Sequence, residues 1–236
     1  MRAFMLTVTA AALTLSGCAQ MTSSEVATHD IEARITLTAN GDGATLIEAE
    51  LMHDRSTWAT FIDLTGGDAL QVSTEGRTRT MSSSEAFNVV GYGARIPVDR
   101  GGTEFNIDLS RPAFDSAPNS HVQLPPRFRL FTPVRSTYDV DYDTIVLEWD
   151  DPSRDTMLLN FEGSCIRDVD YGLTHDEGMF LLRPGMLEAQ GHWDGSPCEV
   201  RVTAQRVRTG HLDPAFASGT IEAQQVRHTL FWIEGL

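Results

Sequence analysis

The chain contains no lysine: all 18 basic residues are arginine, set against 33 acidic ones for a formal charge of −15. No basic patch hides in either half, since residues 19–125 hold 15 acids and 7 arginines and residues 126–236 hold 18 and 10. Nucleic acid and anionic lipid are poor partners for such a surface. No apolar run approaches the ~20 residues that a spanning helix needs. No 3.6-residue apolar period is sustained either, which argues against helical bundles and parallel α/β folds. The seven histidines are scattered, none in an H-E-x-x-H or i, i+4 pair, and G-x-S-x-G is absent. The familiar signatures of zinc and serine hydrolases are thereby missing. Cysteine is scarce, with three in 236 residues.

What is present begins at the N-terminus. Met1-Arg2 is followed by an apolar stretch from Ala3 to Leu15, interrupted only by small hydroxyl residues, and then by Leu15-Ser16-Gly17-Cys18. The stretch is too short for a permanent span and reads as a secretory signal peptide. The four residues resemble, at every position, the processing box of bacterial lipoproteins: aliphatic, small, Gly or Ala, then Cys. The resemblance implies cleavage before Cys18, a lipid on its thiol and an acylated new amino group. Several acyl chains anchor stably where one holds only marginally, at ~0.8 kcal/mol per buried methylene. Ala19, rather than aspartate, follows Cys18, which by the same resemblance implies the outer membrane, with the periplasmic face expected over the cell surface.

Removing 17 of 236 residues leaves 219, enough for one large or two ordinary domains. If Cys18 carries lipid, Cys165 and Cys198 are left as a pair. In an oxidising compartment they are expected to be bridged, with ~3–4 kcal/mol of chain-entropy stabilisation.

Residues 19–28 carry no apolar period and are expected to be a tether, reaching about 35 Å if fully extended. Ile31, Ala33, Ile35, Leu37 and Ala39 then alternate with polar residues, Asn40-Gly41-Asp42-Gly43 turns, and Ile47, Ala49 and Leu51 return. This predicts an antiparallel hairpin. Short strands are expected at 60–64, 69–74, 77–81, 87–94 and 104–109, with turn signals between them, the pattern of a sandwich. Residues 113–126, rich in Pro, Ser and Ala, read as a linker. Beyond it strands are expected at 126–133, 143–149, 157–161, 178–182, 197–207 and 220–233.

The proline-flanked strand followed by Leu147-Glu148-Trp149 resembles the start of a fibronectin type III-like sandwich with its core tryptophan. The chain from Leu124-Pro125-Pro126 through Gly163-Ser164-Cys165-Ile166, Cys198, Arg206 to Gly210 and Leu212-Asp213-Pro214 to Gln225-Val226-Arg227 is similar to lipoproteins of Gram-negative bacteria. That likeness implies an Ig-like fold and carries no activity and no functional residue. The expected layout is a signal peptide over 1–17, a lipidated tether over 18–28, a β-sandwich over 29–112, a linker over 113–126 and a disulfide-bearing sandwich over 127–236. It is an all-β chain of two tandem antiparallel Ig-like sandwiches. The alternative is one sandwich with an elaborated edge.

Asp139, Asp141 and Asp143, beside Asp150 and Asp151, place carboxylates on one side of an extended segment, as a calcium site would. The segment lacks the glycine of a calcium loop, and a solvated face is the expectation. Glu148 with Asp150 and Asp168 with Asp170 could in principle serve as the acid and base of a glycosidase, but spacing alone does not show it and so many acids produce such pairs by chance. His175-Asp176 and His192 near Ser196 are expected to be surface residues. Trp149, Trp232 and Trp58 read as core. Trp193, in Gly191-His192-Trp193-Asp194-Gly195-Ser196-Pro197, either folds over the disulfide, as expected, or is free to stack on a sugar. No catalytic residue, metal site or cofactor is expected. The partners expected are the membrane through the lipid and an envelope protein, with a glycan at Trp193 as the alternative and no nucleic acid.

Overall fold

The computed structural model describes residues 19–54, 60–86, 89–135, 137–191 and 193–235. Cys18, Trp58 and His192 lie outside them. Alternation and turn chemistry produce the first part of the chain. It comprises β1 (Ala19–Thr22), β2 (Ile31–Ala39), β3 (Thr45–His53), β4 (Thr60–Asp63), β5 (Ala69–Thr74), β6 (Arg77–Thr80), β7 (Ser82–Ala86), β8 (Val89–Ile96), β9 (Glu104–Ser110) and β10 (Ala117–Gln123). In β2 the residues Ile31, Ala33, Ile35, Leu37 and Ala39 are all buried, and β3 answers with Ile47, Ala49 and Leu51. The hairpin between them closes through Gly41 and Gly43, both at positive φ, where a side chain would be strained.

Two sheets face each other across this first core. One runs β1-β4-β3-β2, with β8 added on β3 and β7 on β8, and the other is β10-β9-β5-β6. Leu70, Val72, Phe105, Ile107 and Leu109 from the second sheet meet Ile35, Leu37, Ile47 and Leu51 from the first in one cluster. The Tyr92 hydroxyl, buried in it, donates to the Ile62 carbonyl at 2.8 Å and accepts from the Leu64 amide, and burial pushes its pKa up to about 12.

The second part holds β11 (Thr137–Asp139), β12 (Ile145–Glu148), β13 (Thr156–Gly163), β14 (Val169–Leu173), β15 (Met179–Leu182), β16 (Cys198–Thr209) and β17 (Ser218–Glu234). The order β11-β17-β16-β13-β14 faces the two-stranded β12-β15. A β17-β16-β13-β14 run with a two-stranded cover is the strand order of the G-F-C-C′ face of Ig-like sandwiches. Its core joins Met157, Leu159, Phe161, Val200, Val202, Phe231 and Ile233 to Ile145, Leu147, Trp149 and Leu182. The chain is thus all-β and sandwich-built, as its pattern predicts.

Several local expectations are corrected. The stretch expected as linker contains β10, an edge strand paired with β9, whose Ala117, Ser120 and Val122 are buried. The stretch expected as tether contains β1 and two short 3-10 turns, with Ser23, Val26 and Thr28 buried. The strand expected at 126–133 is reduced to a single bridge, Leu130 to Trp149. Pairing is not purely antiparallel either: β1 on β4, β17 on β2 and β11 on β17 are parallel.

The two sandwiches are not cleanly successive. β17 pairs in parallel with β2 over Ser218–Gln225 and places Ile221 and Ala223 in the first core, then places Phe231 and Ile233 in the second. β16 accompanies it antiparallel from Cys198 to Thr209. At the crossing, the guanidiniums of Arg206 and Arg227 both lie over the Phe128 ring, 4.7 and 5.5 Å from its centre. Arg206 is fully buried, ion-pairs with Asp176 at 2.5 Å and donates to the carbonyls of Pro126, Arg127 and Asp150. Gly219 permits the close approach of β17 to β2: its φ is +131° and a Cβ there would sit 1.9 Å from the Ala33 carbonyl oxygen.

Candidate functional site

Cys165 follows β13 in a tight turn, and Cys198 opens β16; they are disulfide-bonded with Cα atoms 6.3 Å apart. The loop between them folds back along the turn, with the Arg167 amide donating to the Glu188 carbonyl at 2.9 Å and the Gln190 amide to the Cys165 carbonyl at 2.8 Å. It then makes a tight turn in which the Ser196 amide donates to the Asp194 carboxylate at 3.0 Å. The Ser196 hydroxyl and amide hold that carboxyl below its ordinary range. The indole nitrogen of Trp193 donates to the Ser196 carbonyl at 2.9 Å, and its ring packs against the second core. Trp193 thus folds toward the disulfide while remaining partly exposed.

Beside it Trp232 stands 44% exposed, which reverses the expectation that it is core. The reason is the two-residue period of β17: Phe231 and Ile233 point inward, so 230 and 232 point outward. The run Leu230-Phe231-Trp232-Ile233 is apolar throughout, so the sequence carries no signal of which face is wet. Trp232 pairs across the ladder with Glu199. Ser164, Gln190, Trp193, Ser196, Glu199 and Trp232 line an open cleft of about 510 Å³ over the disulfide. Two indoles among hydroxyl, amide and carboxylate groups form a surface suited to a polar ring with apolar faces.

The second sandwich also carries most of the large apolar side chains exposed among the described residues. Of ten large hydrophobic side chains exposed among the described residues, Leu46 alone belongs to the first sandwich. Val146 pairs with Leu181 on the outer face of the β12-β15 ladder, next to Met179, and Phe131 donates its amide to the Glu148 carbonyl at the edge of the same pair. Phe131, Val134 and Val146 line a further cleft of about 330 Å³ with Arg135, Tyr138 and Glu148.

The other constellations do not assemble. Asp139, Asp141 and Asp143 shape a turn: the Asp139 amide donates to Asp143 and the Asp141 amide to Asp139, each at 3.0 Å, and Asp143 ion-pairs with Arg135 at 2.9 Å. The Asp139 amide and then Arg135 hold Asp143 below the ordinary carboxylate range. Among the described residues no group of three or more His, Cys, Asp or Glu side chains is placed to hold a metal. Asp176 faces away from any role with His175: it is buried, accepting from the Trp149 indole and pairing with Arg206. Asp170 accepts from the Asn160 side-chain amide at 2.9 Å. Among the described residues no helix is long and apolar enough to cross a membrane.

No family model matches the chain, and no curated protein does. Among solved structures, a chimeric titin Z1Z2 functionalised with a KLER exogenous peptide from decorin aligns over 86% of this chain and 98% of its own, at 9% identity and a TM-score of 0.26. A likeness that low bears on neither fold nor function.

Proposed function

We propose that the protein is a non-enzymatic lipoprotein of the bacterial envelope, held by acylated Cys18 at the periplasmic face of the outer membrane, whose second sandwich serves in protein–protein contact. The box Leu15-Ser16-Gly17-Cys18 supports the anchoring, and the pairing of Cys165 with Cys198 accounts for the other two of the chain's three cysteines. The observation that carries the contact role is the concentration of exposed apolar side chains on the second sandwich, where β14 and β15 each have one strand partner among the described residues. Exposed edges and apolar patches are the features that recruit other chains.

Fractionation and intact-cell crosslinking test both halves of this reading. Wild type is expected in the membrane fraction and Cys18→Ala as soluble, folded protein; a variant that stays with the membrane overturns the anchor. A photo-crosslinker at Leu181 is expected to trap a discrete envelope partner, whereas one at Leu46 is expected to trap none. Equal yields at the two positions overturn the contact role.

The pairing of Trp232 with Trp193 in one cleft favours a second reading, a glycan-binding module. Peptidoglycan or glycan-array retention that falls about tenfold or more in both Trp193→Ala and Trp232→Ala is its expected signature, in the range of one lost stacking contact. Negligible retention of wild type removes it.

A further inference from the structure

We infer that the segment following Cys18 is a docked element rather than a spacer, so that the acylated protein is seated with its first sandwich directly on the bilayer surface and its second sandwich carried outward. This rests on the anchoring reading above for the lipid, and on the following contacts for the docking. Ala19–Thr22 pairs residue for residue with Thr60–Asp63. The Thr65 amide donates to the Ser23 hydroxyl at 2.9 Å, Val26 enters the first core, and the Thr28 hydroxyl donates to the Asp115 carbonyl.

Arg111 holds the whole segment. Its side chain is fully buried, ion-paired to Asp68 at 2.9 Å, and donates to the Ser23 and Val26 carbonyls at 2.6 and 2.9 Å and to the Thr28 hydroxyl at 2.9 Å. Phe114 stacks against the guanidinium 4.5 Å away. A buried guanidinium is tolerated only where its donors are met, and here they are met by the irregular backbone between β1 and β2. A segment serving only as a flexible reach would leave those carbonyls to water and would have no use for Arg111.

The strand directions supply the orientation. β1 is parallel to β4, β4 and β2 are both antiparallel to β3, and β17 is parallel to β2. The start of β1 therefore lies at the end of the sheet where β2 and β17 begin, an end closed by the Ser218 hydroxyl donating to Asp54 at 2.7 Å. Trp232 is ~46 Å further along β17 at about 3.3 Å per residue. With Cys18 one residue before β1, the acyl chains enter the bilayer at the foot of the first sandwich, and the cleft and the exposed apolar face of the second point toward the envelope space.

The test uses the processed, acylated chain in vesicles of phosphatidylethanolamine with a minor phosphatidylglycerol fraction. Amides of residues 21–30 are expected to exchange as slowly as those of β2. Thermolysin is expected to shed the folded domains from the vesicles about a hundredfold more slowly than from a variant with ten Gly/Ser residues inserted between Cys18 and Ala19, since cutting must await local opening. The insertion leaves every docking contact intact, so its folding is not at issue; Arg111→Ala is expected to raise both exchange and shedding. Wild type that sheds as fast as the insertion variant, or whose amides over residues 21–30 exchange as fast as those of Arg111→Ala, overturns the docking. Protected amides on a chain that never enters vesicles overturn the anchor alone.

Discussion

The two sandwiches each bury one arginine completely, and they use it differently. Arg111 pairs with Asp68 and spends its remaining donors on the segment between β1 and β2. Arg206 pairs with Asp176 and spends its donors on the carbonyls of Pro126, Arg127 and Asp150, where the chain passes from one core to the other. In both places the backbone is irregular, its carbonyls have no ladder to join, and a forked cation satisfies several at once. The first sandwich closes with a four-stranded second sheet and has no disulfide; the second closes with two strands, a loop and Cys165–Cys198. Nine of the ten exposed large apolar side chains among the described residues lie on the side with the thinner cover.

The comparison breaks most severely at the junction. Arg206→Met leaves Asp176 buried without its cation and is expected to cost ~3–5 kcal/mol, lowering the stability of both cores together because β16 is laddered to β17, which serves both. Chemical denaturation followed by hydrogen exchange in β2 and β13 reads this; loss confined to β13 would separate the sandwiches after all. Opening the disulfide with Cys165→Ser and Cys198→Ser together is expected to cost ~3–4 kcal/mol, confined to the second sandwich, and a Tm that does not move would refute it.

Gly219→Ala drives a methyl into the Ala33 carbonyl at a positive φ and is expected to cost ~1–3 kcal/mol. The damage should appear as faster exchange along the β17–β2 ladder, with β17–β16 unaffected.

The smallest effects come from pH, and their sign differs from one carboxylate to the next. Asp143 in the second sandwich and Asp42 in the first, the latter held by the Ala44 amide and Arg95, have folded pKa values below 3.8. Their contribution is present above that value and lost as pH falls through the folded one. Asp108 in the first sandwich is raised by burial and then by Asp213, so its contribution is present in acid and lost as pH rises through the folded pKa. Asp108→Asn is therefore expected to raise the Tm slightly at pH 7, whereas Asp143→Asn lowers it; equal signs would contradict the assignment.

Legibility followed the range of the interaction. The β2–β3 hairpin was readable because apolar residues and glycines alternate within one short window. β10 was not, because one of its inward residues is Ser120, whose hydroxyl accepts from the Asp213 amide 93 residues on. Residues 19–28 read as tether for the same reason: Ser23 and Thr28 are polar, and the arginine that makes burying them tolerable is more than 80 residues away. Of the cleft, Trp193 was visible in its turn-rich loop, while Trp232 was hidden in an unbroken apolar run.

The sequence by itself determined the all-β class and most strand positions, and it pointed to Cys165 and Cys198 as the pair to be bridged. These rest on alternation, turn residues and counting, which are local. The tertiary structure decided that β17 builds both cores, that Trp232 faces solvent beside Trp193, and that the N-terminal segment is docked. Each of those depends on which distant group covers a face or satisfies a backbone carbonyl, and no window of sequence contains both partners.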